Sequence, residues 1–185
     1  MRVIAGSAKS LPLKTIKGLE TRPTTDRIKE TLFNMISPYL ADCRFLDIFS
    51  GSGAIGIEAL SRGADSCVFI ENNREAVQCI KENLAFTHLE EKAEVLSRDA
   101  KGALLSLKGG ESFSIVFMDP PYESNLEDPL FSCLADLSLV DEESLIIVEA
   151  KLSKSFAFVE DLGFEVTKEK CYKTNKHVFL RRSIT

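Results

Sequence analysis

Short, nearly unbroken apolar runs alternate along this chain with longer segments in which apolar residues return every three or four positions. The runs at 44–49, 66–70, 93–98, 113–118 and 144–149 read as buried strands. Segments 24–37, 53–62, 73–86, 100–107, 126–137 and 152–161 read as helices. In the first of these Ile28, Leu32, Met35 and Ile36 keep helical spacing, Thr24, Thr25 and Asp26 are candidate N-caps, and Pro38 stops the helix. Strand–helix alternation with apolar strands predicts an α/β fold: a mostly parallel seven-stranded sheet with helices on both faces. The ending differs, because Phe164-Glu165-Val166 and His177-Val178-Phe179-Leu180 flank a polar segment with no helix between them. They are expected to form an antiparallel hairpin. Residues 1–23 read as a short arm of strands or extended chain, and 24–185 as one globular domain.

Composition narrows the class. At 185 residues, 44% hydrophobic and 28% charged, the chain suits one soluble globular domain. No stretch is apolar and long enough to span a bilayer, and the amino terminus lacks a secretory pattern, so a cytoplasmic protein is expected. Five cysteines without a C-x-x-C pair fit reduced thiols, and two distant histidines make a zinc centre or a Ser-His-Asp site improbable. No metal and a monomeric state are expected. The net charge of −5 is unevenly spread: residues 1–30 carry seven Lys/Arg against three acidic residues, while the remainder is acidic. A basic, flexible arm on an acidic body suits a polyanionic partner, against the plainer reading of a solvated terminus.

Two loops carry the candidate chemistry. Asp119-Pro120-Pro121-Tyr122 follows the apolar run 115–118, at the strand end where open α/β sheets bind ligands. Its prolines fix the backbone and remove two N–H donors, leaving carbonyls, a carboxylate and an aromatic face. That set suits a planar base bearing an –NH2 group. The first strand leads into Asp47-Ile48-Phe49-Ser50-Gly51-Ser52-Gly53-Ala54-Ile55-Gly56, a full G-x-G-x-x-G. Gly51 serves the tight turn, Gly53 close ligand approach and Gly56 helix packing, and Glu71 ends the second strand where a ribose would lie. An acid at Asp47 repels a pyrophosphate but suits the ammonium of a methionine moiety, and Asp99 before Ala100 offers an acceptor for an adenine amine. S-adenosylmethionine is therefore favoured over a nicotinamide dinucleotide.

These motifs, with Arg22-Pro23-Thr24-Thr25-Asp26-Arg27 and Glu30-Thr31-Leu32-Phe33-Asn34, resemble the RsmD family of class I methyltransferases, over nearly the whole chain. The resemblance implies a Rossmann-like methyltransferase domain. It further implies methylation of guanine N2 in small-subunit ribosomal RNA, free or in an assembling small subunit. It places the cofactor against Asp47, Phe49, Gly51, Ser52 and Gly53, then Glu71, Asn72, Asp99 and Ala100, with Thr25 beside the methionine end. Asp119, Pro120 and Tyr122 become the catalytic set, Pro121 and Tyr122 hold the extruded base, and Lys9, Lys14, Arg22 and Arg27 meet RNA. The chain departs from relatives at Ala5-Gly6-Ser7-Ala8-Lys9, where Gly-Gly and more Arg are common. D-P-P-Y is shared with adenine-N6 methyltransferases, which keeps an adenine-N6 enzyme on DNA or RNA as an alternative. A nicotinamide dehydrogenase would use the glycines but not the Pro-Pro-Tyr loop. A non-catalytic RNA-binding assembly factor would need no intact cofactor cradle.

Overall fold

The computed structural model describes residues 1–16, 25–121 and 126–183. Helix α1 (Asp26–Ile36) precedes strand β1 (Arg44–Ile48), and α2 (Ala54–Ser61), β2 (Ser66–Glu71), α3 (Arg74–Thr87) and β3 (Ala93–Ser97) follow. Next come α4 (Ala100–Ser106), β4 (Ile115–Met118), α5 (Glu127–Asp136), β5 (Leu145–Lys151), β6 (Phe164–Cys171) and β7 (Asn175–Arg182). The seven strands lie in the order β3-β2-β1-β4-β5-β7-β6. β1 to β5 are parallel, β7 runs antiparallel between β5 and β6, and the sheet direction of growth reverses between β1 and β4. That reversal is the switch point at which ligands sit in open α/β sheets.

Both faces are covered. Phe45, Phe69, Ile115, Phe117, Ile147 and Phe179 project to a first face covered by α1, α2 and α3. Leu46, Ile70, Val116, Met118, Ile146 and Val148 project to the second face, under α4 and α5. Burial on both faces explains why the strands read as continuous apolar runs. Among the cysteines, Cys43, Cys67, Cys79 and Cys133 are buried and Cys171 is exposed.

Two expectations change. The predicted helix at 152–161 is a six-residue 3-10 segment, Ala157–Leu162, because β5 continues to Lys151 and Phe156 and Val159 need only an i, i+3 spacing to bury. The described part of the amino-terminal arm is also not loose. Arg2 bridges Pro12, and Val3, Ala8 and Leu13 are buried in the first-face core. The Ile4 and Ala5 amides donate to the Glu58 carboxylate at 2.9 and 3.1 Å, and Ala8 to Ser61 Oγ at 3.0 Å.

Candidate active site

Beyond Ile48 the backbone turns sharply: Phe49 has φ 64°, Gly51 56° and Gly53 80° before α2 begins. A non-glycine residue held left-handed costs about 1–2 kcal/mol, so the loop is pinned from elsewhere. The Ser50 hydroxyl donates to the Asp47 carbonyl at 2.7 Å, and the Ser50 amide donates to the Ile70 carbonyl at 3.0 Å. The Asn83 amide nitrogen donates to the Ser52 carbonyl at 2.9 Å and to the Lys14 carbonyl at 3.1 Å. The glycines divide their work. A Cβ on Gly51 would meet nothing within 4 Å, so this side of the turn is open, whereas on Gly56 it would strike Phe69 at 2.3 Å. At Gly53 a Cβ would press on Ile80 of α3 at 3.3 Å, so space there is limited by the protein itself.

Three acids end the strands beside this loop. Glu71 folds back over it, accepting hydrogen bonds from the amides of Gly51, Asn72 and Asn73, each at 2.9 Å. A carboxylate accepts about four, which leaves room for a hydroxyl donor. Asp99 caps α4 through the Gly102 amide at 2.9 Å, is exposed, and precedes the buried Ala100. Asp47 is 1% exposed and accepts from the Gly56 amide at 3.0 Å. Burial pushes its pKa up to about 7; the Gly56 bond works against this and the Glu71 charge adds to it.

Asp119 lies one step past β4, its amide donating to the Ile48 carbonyl at 3.4 Å. The β1 and β4 loops are thereby neighbours. Burial first, then the charges of Glu149 and Asp47, hold the Asp119 carboxyl well above the usual carboxylate range. Pro120 is buried and Pro121 exposed. Tyr122 and Arg22 lie outside the described residues. Thr25 caps α1, accepting from the Ile28 amide at 3.3 Å. Of the cationic residues, Lys14 is tied to Glu82 at 2.6 Å, while Lys9 and Arg27 are exposed and make no ion pair among the described residues.

Residues 1–181 match the family model described as "Conserved hypothetical protein 95", that of the RsmD proteins. The chain belongs to the RsmD family. It is 43% identical over 150 residues to "Putative rRNA methyltransferase YlbH" of Bacillus subtilis (strain 168), covering 80% of this chain and 82% of that one. To "Ribosomal RNA small subunit methyltransferase D" of Escherichia coli (strain K12) it is 38% identical over 161 residues, covering 86% and 79%. The solved structure "Putative methyltransferase yhhF from Escherichia coli" superposes with a TM-score of 0.83 at 33% identity, over 100% of this chain and 99% of that one. The fold is that of class I methyltransferases.

Within this RsmD-family fold, sequence reasoning passed over four residues at the site: Ser50 and Asn83, which pin the glycine loop, and Glu149 and His177. Asn83 was visible as a polar residue on the apolar face of α3, between Ile80 and Leu84. Glu149 was visible as an acid ending the apolar β5 run. It is 4% exposed, accepts from Asn175 Nδ2 at 2.7 Å, and lies 3.2 Å from His177 Nε2, a contact between strands that the sequence does not announce. Among the described residues no group of three or more His, Cys, Asp or Glu is placed to hold a metal ion, and no helix is long and apolar enough to cross a membrane.

Proposed function

We propose that this protein methylates the exocyclic N2 amine of a guanine in small-subunit ribosomal RNA, using S-adenosylmethionine. The observation that carries the reading is the adjacency of the β1 and β4 loops at the switch point, one with a glycine cradle and the other with Asp119 and Pro120. Membership of a family whose relatives are named ribosomal RNA methyltransferases supports the substrate class, and favours the sulfonium cofactor over a nicotinamide one.

The residues present fit that cofactor. The open side of Gly51, the spare acceptor capacity of Glu71 and the second oxygen of Asp99 suit a nucleoside with hydroxyl and amine donors. Phe49, Ser52, Asn72, Ala100 and Thr25 would surround it, with Asp47 setting a negative potential for the methionine ammonium. When bound, the cofactor supplies an electrophilic methyl group.

The protein's own work is then to present a poor nucleophile. The guanine N2 lone pair is delocalised into the ring, and a base within a helix is out of reach, so the guanine is extruded or already unpaired. Asp119 and the Pro120 carbonyl accept the two amine hydrogens, turning the lone pair toward the methyl group and stabilising charge that develops on nitrogen. Methyl transfer to nitrogen would leave the amine cationic, and Asp119 would take the proton it releases and pass it on to water. Tyr122 would stack on the base.

The test is to map methylated guanines in ribosomal RNA from cells with and without the protein, then to restore them with purified protein and S-adenosylmethionine. An N2-methylguanine that disappears and returns supports the reading. N6-methyladenine appearing instead would favour the adenine enzyme, and no change in either would overturn the assignment.

A further inference from the structure

The β6–β7 hairpin reaches the same sheet edge as Asp119, because the start of β7 pairs with the end of β5: His177 lies opposite Glu149 and Asn175 opposite Lys151. A cleft of about 230 Å³ opens there between α1 and the hairpin, lined by Arg27, Ile28, Thr31, Lys170, Cys171 and Tyr172. The Tyr172 ring packs on His177 with centroids 5.2 Å apart, and its hydroxyl lies 3.4 Å from His177 Nδ1. His177 in turn touches Glu149, whose charge reaches Asp119. The cleft and the candidate site are therefore separated by one short chain of contacts.

A break in strand register decides which side chains face this cleft. β6 carries a bulge between Val166 and Lys168: Val166 pairs with Leu180, yet Lys168 pairs with Phe179 and Lys170 with His177. Directly paired residues share a face of the sheet. Phe179 belongs to the first-face core, as α1 does, while Leu180 belongs to the second. The extra residue, Thr167, thus turns Lys168, Lys170 and Tyr172 toward α1. A regular strand would have presented Thr167 and Glu169 in place of Lys168 and Lys170. Glu169 faces away and is occupied by Lys176 at 2.9 Å. Lys168, Lys170 and Arg27 make no ion pair among the described residues. Bulges next to active sites commonly re-aim side chains in this way.

Resting on the proposed function, we infer that the face formed by Arg27, Lys168, Lys170 and Tyr172 is a binding track for the RNA backbone beside the extruded guanine. The three cations contact successive phosphates, and Tyr172 offers its exposed portion to a neighbouring base or sugar. An RNA strand is the occupant that fits, since the surface is cationic, lies on an otherwise acidic body, and leads to the methyl-transfer edge. Lysines on an edge strand can also serve only to stop pairing with another copy, and that role makes a different prediction.

The experiment compares the wild-type protein, Arg27→Gln/Lys168→Gln/Lys170→Gln, and a control, Lys92→Gln/Lys108→Gln, whose lysines lie at the opposite sheet edge. Binding to a ribosomal RNA fragment is measured against salt, with S-adenosylmethionine affinity and thermal unfolding checked for each. The triple variant is expected to bind RNA roughly tenfold more weakly at about 0.1 M salt, with the salt slope shallower by about 0.7 per lost cation. Cofactor affinity and melting should match wild type, and the control should bind RNA normally. A triple variant with wild-type RNA affinity and slope overturns the track, and new self-association in it would assign the lysines to edge protection. A wild-type protein that binds no RNA overturns the proposed function together with the track.

Discussion

Asp119 carries its proton unusually tightly because burial, Glu149 and Asp47 all oppose its charge. Accepting an amine hydrogen and then a proton requires the carboxylate, so methyl transfer should fall as pH drops through the raised Asp119 pKa. Single-turnover rates are expected to climb with pH, with a limb of unit slope at a pH above the ordinary carboxylate range. Asp119→Asn should bind S-adenosylmethionine normally, lose most of the rate and lack that limb. A variant that keeps the wild-type pH profile would remove Asp119 from the chemistry. The role proposed for Glu71 is different and makes its prediction through affinity. Glu71→Ala removes an acceptor for a ribose hydroxyl and frees the amides of Gly51, Asn72 and Asn73. At about 1 kcal/mol per hydrogen bond, the variant should bind S-adenosylmethionine roughly tenfold more weakly or worse. Wild-type affinity by titration calorimetry would place the nucleoside elsewhere.

At the scale of elements, the amino-terminal segment is joined to the domain by one buried charge cluster. Lys29 and Glu58 side chains are both 0% exposed and 3.2 Å apart, and Glu58 also accepts from Arg62 Nε at 2.8 Å and from the amides of Ile4 and Ala5. Lys29 donates to the Arg2 carbonyl at 2.6 Å. Removing one partner of such a pair strands a buried charge, which costs about 3–5 kcal/mol. Glu58→Gln should therefore cost about 3–5 kcal/mol of unfolding free energy, read from urea titration, and expose residues 1–16 to proteolysis. A change under about 1 kcal/mol would mean the segment is held mainly by burial of Val3, Ala8 and Leu13 and by the hydrogen bonds to Ser61 and Asn83.

This cluster also shows why the sequence was readable in some places and closed in others. Val3, Ala8 and Leu13 follow no helical or strand period, so their docking in the first-face core leaves no local pattern. The helix expected at 152–161 failed because spacing of three serves a 3-10 turn as well. The strands, by contrast, were legible as apolar runs, and the glycine loop and Asp119-Pro120 as motifs, since each is set by consecutive residues. Glu149 and the Thr167 bulge depend on the pairing of strands far apart in the chain, and Asn83 on the packing of α3 against the glycine loop, so none of them is set by consecutive residues.

Over the whole molecule, the candidate site brings Asp47 and Asp119 together where burial opposes their charge, and stability without ligand should reflect this. Asp47 titrates near pH 7 in the folded chain against about 3.9 when unfolded. Between those values the folded state holds a proton that the unfolded state has released, so stability from this group is greatest below about pH 4 and declines as pH rises toward 7. Asp119 is shifted in the same direction. Ordinary surface carboxylates and the overall charge of −5 contribute their own pH dependence, so the comparison must be made with Asp47→Asn, which retains the volume and removes the ionisation. The variant should gain on the wild type as pH rises from about 5 to about 8, judged by urea midpoints. S-adenosylmethionine, with its ammonium and sulfonium charges, favours the ionised carboxylates and should stabilise the wild type more at the higher pH than at the lower. If the two proteins show parallel pH curves, Asp47 is ionised throughout and the Gly56 amide alone compensates its burial.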